Sequence, residues 1–260
     1  MGRWNIRWSI LLVLWCVTGV KLAAMKVESL DRGWFFNRGY ESQAADKVTV
    51  DLPHTWNAAD AMFGNVNYYR GMSTYSRFIV VPSSENFKRV FLRVKAAQTV
   101  ADVYLDNHFV AQHKGGYTSF TVELTHLIRR GEKQKLDIRV SNAQTMEIAP
   151  ICGDFNIWGG LNRGVELLYT DDACIDPTFY GSSGVFFTQY NVSEKYAGLE
   201  MKALLSGTEM ALNDCSIEFS LLDAKRKVVL CKETSVSGKE ALVKMELNNP
   251  HLWDGVNDPY

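Results

Sequence analysis

The amino-acid sequence predicts an all-β protein, built as two antiparallel β-sandwiches in series behind a short leader. Three observations carry that prediction. After residue 25 no long stretch shows the 3.6-residue apolar period of an amphipathic helix; short runs rich in β-branched and aromatic residues follow one another instead. Turn formers punctuate those runs at Pro53, Pro82, Gly115-Gly116, Gly131 and Pro150. The chain has 260 residues, 47% hydrophobic and 12% aromatic, which excludes a disordered polypeptide and leaves room for two cores.

The first element is the leader. Arg3 and Arg7 precede an apolar run from Ile10 to Val20, and the small pair Ala23-Ala24 follows. That order of charged, apolar and small residues is the order of a secretory signal peptide over residues 1–24. The run is shorter than the roughly 20 apolar residues a bilayer span needs. A buried N-terminal helix is the structural alternative. Trp15 stands before Cys16, where a lipid-attachment cysteine needs a small residue. Cleavage near Ala24 is expected, leaving a periplasmic or secreted protein with no membrane contact.

The first sandwich is expected over residues 25–172. Its strands are read at Lys47 to Leu52, Thr74 to Val81, Arg89 to Val94, Ala101 to Leu105, Thr118 to Leu124 and Lys135 to Val140. Asp106-Asn107 joins Leu105 to His108 as a two-residue hairpin, because both residue types tolerate left-handed backbone. The acidic pair Asp171-Asp172, followed by Pro177, marks the border. The second sandwich, residues 173–260, is smaller. Strands at Val185 to Thr188, Leu199 to Leu205, Ile217 to Leu222, Val228 to Cys231 and Ala241 to Leu247 fit an immunoglobulin-like sandwich.

Export permits disulfides, and Cys152, Cys174, Cys215 and Cys231 follow the leader. If Leu222 faces Val228 across the turn at Asp223 to Lys227, then Cys231 faces Phe219 and Cys215 faces Ser235. The sulfurs would then lie about four residues apart at ~3.3 Å each, beyond bridging reach. Both cysteines are expected to point into a core. No Cys-x-x-Cys or paired-His spacing exists, so neither a metal nor another cofactor is expected. The 28 basic and 29 acidic residues are interspersed, giving a net charge of -1 and no basic stripe for nucleic acid.

Four segments carry a resemblance. The first is Val50-Asp51-Leu52-Pro53-His54-Thr55-Trp56-Asn57, followed by Asn67-Tyr68-Tyr69-Arg70-Gly71. The second is Val103 to Asn107, leading to His113-Lys114-Gly115-Gly116-Tyr117. The third runs from Gly153-Asp154-Phe155-Asn156 through Ile157-Trp158-Gly159-Gly160-Leu161-Asn162-Arg163. The fourth is Asn249-Pro250-His251-Leu252-Trp253, with Asp258-Pro259-Tyr260. In this order, across nearly the whole chain after the leader, they resemble the N-terminal half of family 2 glycoside hydrolases, the β-galactosidase-like enzymes.

The resemblance implies a jelly-roll sugar-binding domain, an immunoglobulin-like domain and then a TIM barrel. In the family the barrel carries two glutamates, one the acid/base and one the nucleophile of a retaining mechanism. The sequence stops at Tyr260, so no catalytic residue is assigned in this chain, and alone it is expected to be inactive. The implied partners are a β-linked carbohydrate, most of all a β-galactoside, and the enzyme's own barrel. Family members are often dimers or tetramers, which implies a homo-oligomer.

Asp154 matches the family's sugar-contacting aspartate, and a carboxylate accepts hydrogen bonds from two hydroxyls at once. The structural alternative is an Asp capping a turn beside Asn156. Asn65 and Asn67 lie where galactosidases place a second sugar contact, though a turn-forming role fits them equally. Gly153, Gly159 and Gly160 are expected to allow a tight, exposed loop. Trp56, Tyr117, Trp158 and Trp253 are read as core aromatics rather than sugar platforms. One departure from the pattern is Gly164, where the family usually has an acidic residue. A stand-alone carbohydrate-binding protein of two sandwiches is the competing reading.

Overall fold

The computed structural model describes residues 9–13, 25–39, 48–60, 62, 68–84, 86–149 and 156–257. Apart from one short helix, the regular structure among the described residues is β-strand, as the turn spacing dictates. The chain divides into two compact units, Met25–Thr170 on one side and Met1–Ala24 with Asp171–Tyr260 on the other.

Within the expected leader, Ser9–Val13 forms β1 and belongs to the second unit. The first unit then runs through β2 (Lys26–Ser29), β3 (Trp34–Arg38), β4 (Val48–Val50), β5 (Met72–Val80), β6 (Arg89–Val94), β7 (Val100–Leu105), β8 (His108–Lys114), β9 (Phe120–Glu123), β10 (Lys133–Ser141) and β11 (Val165–Thr170). A six-stranded sheet has the order β4-β3-β5-β10-β7-β8, and a four-stranded sheet the order β2-β11-β6-β9. Both are antiparallel throughout.

The sandwich closes because each sheet turns one apolar face inward. Trp34, Tyr75, Val103 and Ile138 from one sheet meet Leu92, Val94, Leu167 and Tyr169 from the other, in one core. The alternation is clean in β7, where Ala101, Val103 and Leu105 are buried and their neighbours are not. Asp106 and Asn107 have φ of 48° and 67°, so the expected two-residue hairpin pairs Leu105 with His108.

Strands β2, β3 and β11 were not expected from the sequence. β11 is buried at all six positions, so no alternation marks it. Its Glu166 is tolerated inside because Arg93 approaches to 2.5 Å and Lys95 pairs with the other carboxylate oxygen. Burial works against that charge, but the hydrogen bonds from Lys95 and Arg93 outweigh it and hold the carboxyl below its usual range.

The second unit continues with β12 (Cys174–Ile175), β13 (Val185–Tyr190), β14 (Tyr196–Ser206), β15 (Ser216–Leu222), β16 (Val228–Ser235) and β17 (Glu240–Asn248). β12, β13 and β17 pair with β14 in one sheet; β1 and β16 flank β15 in another. The alternating residues Ala241, Val243, Met245 and Leu247 point into a core shared with Leu199, Met201, Ile217 and Phe219. The single helix among the described residues is α1 (Glu209–Asn213), capped by the Thr208 hydroxyl.

The cysteine geometry differs from expectation by one residue. Leu222 does pair with Val228, but the register then shifts, so that Leu221 pairs with Leu230 and Ser220 with Cys231. The bulge leaves Val229 without a partner in the ladder, and a one-residue slip exchanges the faces of everything beyond it. Cys215 is buried, as expected, while Cys231 is an exposed free thiol rather than a core residue.

Candidate functional site

Asp154, Asn65 and Asn67 all lie outside the described residues, as do Gly153 and Cys152. What the structure does describe are the stems that carry them. Asp60 and Tyr69 bound the segment holding Asn65 and Asn67; Asn142 and Ile157 bound the longer segment that holds Asp154.

Each loop is closed at its neck by a side chain. The Asp60 carboxylate accepts a hydrogen bond from the Tyr69 amide at 3.0 Å and pairs with Arg38 at 2.5 Å. Asn142 donates to the Ile157 carbonyl at 2.9 Å and accepts from the Gly71 amide at 2.8 Å. The two necks also meet. Asn57 donates to the Ile157 carbonyl at 3.0 Å and accepts from the Gly159 amide at 2.9 Å. Both asparagines extend longer contacts, 3.3 and 3.5 Å, to the Tyr69 carbonyl. Both are fully buried, so these bonds form without competition from water.

The stem beyond Ile157 is held as firmly. Trp56 and His54 donate backbone bonds to the carbonyls of Gly159 and Leu161, and Gln98 donates to that of Gly160. Gly159 and Gly160 are buried, so the expectation of glycines serving an exposed loop is corrected. Gly159 lies against the Trp56 indole, and Gly160, at φ +138°, lies against the His54 carbonyl and the Tyr75 hydroxyl. These glycines permit close approach of the stem to its support. The Tyr75 hydroxyl also sits 2.8 Å from His54 Nδ1. Burial lowers the His54 pKa and raises that of Tyr75.

Gly164 has a physical account. A Cβ there would lie 2.8 Å from an Asp31 carboxylate oxygen, which accepts from the Val165 amide. An acidic residue at 164 would set two carboxylates against each other; Asp31, in the turn between β2 and β3, supplies the negative charge.

Among the aromatics, Trp56 is core, as expected. Tyr117, Trp158 and Trp253 are 65%, 37% and 36% exposed, which corrects the core assignment for all three. Trp158 matters most, because it projects between Ile157 and Gly159, whose backbone groups the two asparagines hold. Sequence reasoning missed Asn57 and Asn142 as site residues. Asn57 ends the Val50–Asn57 segment; Asn142 follows a strand with no motif to mark it.

The model of the glycosyl hydrolases family 2 sugar binding domain matches residues 27–171. A β-glucuronidase of Bacteroides fragilis is 37% identical over 89% of this chain and 34% of its own length. A β-galactosidase of Thermoanaerobacter pseudethanolicus is 25% identical over 78% of this chain and 27% of its own length. The crystal structure of a Bacteroides uniformis β-glucuronidase superposes with a TM-score of 0.76 at 28% identity, covering 88% of this chain and 29% of that one. The chain thus spans about a third of the length of the curated relatives it matches.

Proposed function

Because this chain belongs to glycosyl hydrolase family 2, we propose that residues 25–170 form a jelly-roll sugar-binding domain that completes the substrate pocket of a β-glycosidase. The observation that carries the reading is the common junction of two loops, one bearing Asn65 and Asn67 and the other Asp154. A pocket for one sugar needs its contacts presented from one place, and the stems of both loops leave from the same pair of buried asparagines. Exposed Trp158 on that junction adds a flat apolar surface suited to the face of a pyranose ring.

In this reading the chain binds and orients; it does not cleave. Asp154 accepts hydrogen bonds from sugar hydroxyls, while a barrel outside this sequence supplies the acid/base and nucleophilic glutamates. The second unit is an immunoglobulin-like spacer. Export supports itself on the leader composition, and cleavage near Ala24 would remove β1, leaving β16 as the described partner of β15.

The substrate is a β-linked sugar. The Tyr68-Tyr69-Arg70-Gly71 segment favours a β-galactoside. A β-glucuronide is the second reading, favoured by the higher identity to a protein of that name, 37% against 25%.

The test is Asp154→Asn in the full-length enzyme, with kinetics and melting measured on the same preparation. A charge-assisted hydrogen bond contributes about 1.5–3 kcal/mol. At ~1.4 kcal/mol per decade, kcat/KM is expected to fall at least tenfold. Melting is expected to hold. A drop of several degrees in melting with kcat/KM unchanged would make Asp154 a turn cap and overturn the proposal.

A further inference from the structure

The ring of Tyr117 is open to solvent, yet its position is fixed from within. The residue lies between β8 and β9 and is 65% exposed. Its hydroxyl accepts a hydrogen bond of 2.9 Å from Nε2 of Gln98, a residue only 2% exposed. The loop is tied on both sides of the ring. The Gly115 amide donates to the Thr99 carbonyl at 2.9 Å, and a Cβ on Gly116 would come within 2.8 Å of Gln98 Cγ. Thr118 Oγ1 sits 3.3 Å from Nε2 of His113, whose ring stacks on Phe120. A buried carboxamide is costly unless its groups are bonded, so Gln98 and the Tyr117 hydroxyl hold each other in place. Gln98 also ties this ring to the stem that carries Trp158. Its amide donates to the Gly160 carbonyl at 3.0 Å, and its Oε1 accepts from Asn162 Nδ2 at 3.4 Å. Trp158 is two residues before Gly160, at most ~7 Å of chain. One buried glutamine thus joins segments bearing two exposed aromatics.

We infer that Tyr117 is a stacking platform for a second ring of the substrate, the one beyond the scissile bond, and that Gln98 is the residue that positions it. The inference rests on the proposed reading in which the sugar to be released is held on the segment that leads into Trp158. Trp158 stands on that stem, while Tyr117 reaches the same end of the sandwich from the β8-β9 loop, so the two aromatics serve two rings. One face of a pyranose presents C–H groups to which a flat aromatic surface is complementary. A ring already held in place binds it without the cost of being ordered first. The phenol suits this task better than a phenylalanine, because its polar tip is anchored while its face stays free. The substrate class that follows is a β-linked disaccharide or longer chain, rather than the β-glycoside of a small alcohol.

The test compares two substrates of the full-length enzyme that share a terminal sugar: methyl β-galactoside and a β-linked galactosyl disaccharide, or the matching β-glucuronides. Tyr117→Ala is expected to lower kcat/KM on the disaccharide about tenfold, which is ~1.4 kcal/mol, and by less than about twofold on the methyl glycoside. Tyr117→Phe keeps the ring and loses the anchor, so its loss on the disaccharide should be smaller than that of alanine. Gln98→Leu removes the same anchor from the other side and should reproduce the Tyr117→Phe result. Equal losses on both substrates would overturn the inference, since the ring would then serve folding or packing against the rest of the enzyme. No loss on either would overturn it as well. Should Tyr117→Ala fail to fold, Tyr117→Phe and Gln98→Leu are read by the same ratio of the two substrates. Asp154→Asn, run alongside, is expected to lower kcat/KM on both. If it lowers neither while Tyr117→Ala still separates the substrates, the Asp154 reading fails and the platform stands; the reverse pattern removes the platform alone.

Discussion

Replacing Gly160 with alanine isolates the cost of bringing the stem so close to its support. Two penalties add at this position. At φ +138° an L-residue is in a region that only glycine occupies readily, which costs about 1–3 kcal/mol. The new methyl also overlaps the His54 carbonyl oxygen and sits 2.8 Å from the Tyr75 hydroxyl. Backbone cannot rotate away as a side chain can, and forcing extra volume into packed structure costs about 1–3 kcal/mol more. The total is about 2–6 kcal/mol, and at roughly 2–4 °C per kcal/mol the melting temperature of the Met25–Thr170 unit should fall by at least about 4 °C. Gly33→Ala is the control: its φ is +71°, but nothing lies within 4 Å of its Cβ, so it carries the conformational penalty alone. Calorimetry of both variants beside wild type decides the matter. If Gly160→Ala melts no lower than Gly33→Ala, the close approach inferred for the stem does not exist.

Two further expectations concern charge. Glu166→Gln leaves Arg93 and Lys95 without their shared carboxylate on a buried strand; both cations keep some solvent access, so the cost should be about 1–3 kcal/mol by urea unfolding, and no change would mean the pairing is idle. His54 titrates below its ordinary value of 6.5 because it is half-buried, so the unfolded chain takes up its proton first. Its contribution to stability is complete above pH 6.5 and is lost as pH falls through the lower folded value. Unfolding free energy should therefore decline from pH 7 to 5.5 more steeply in wild type than in His54→Asn; equal slopes would refute the assignment.

Much of this architecture was readable before any coordinates, and the failures have specific causes. β7 and β17 alternate because each has one face on a core and one in solvent, so their residues announce both strand and orientation. β11 does not alternate, since both of its faces are covered, and an acidic residue in its middle reads as surface until Arg93 and Lys95 are known to reach it. The Cys231 misplacement came from one bulged residue, a feature that turn composition at Asp223 to Lys227 does not encode. The family was legible as motif, while the hydrogen bonds that hold the stems were not. Asp154 is proposed from its neighbours in sequence, whereas Asn57 and Asn142 act through a carbonyl 100 and 15 positions away, and no local spacing reports such a meeting.

The order β2-β11-β6-β9 also has a kinetic consequence. The strand that joins the two ends of this sheet is the last of the unit to be synthesised, and β2, the first, pairs with it alone among the described strands. The Tyr169 hydroxyl meets Glu28 across 141 positions of chain. β2 therefore has no place to dock until nearly the whole unit has been made, and closing so long a loop is a slow step in assembling a sheet. The six-stranded sheet can start from the β7-β8 hairpin and the paired β6 and β9 can cover part of its apolar face, but the rest stays open until β11 and β2 join them. A growing chain arrested before Val165 would thus leave the core positions that face β11 uncovered. For this unit, the passage from sticky nascent chain to finished sandwich turns on six residues at its end.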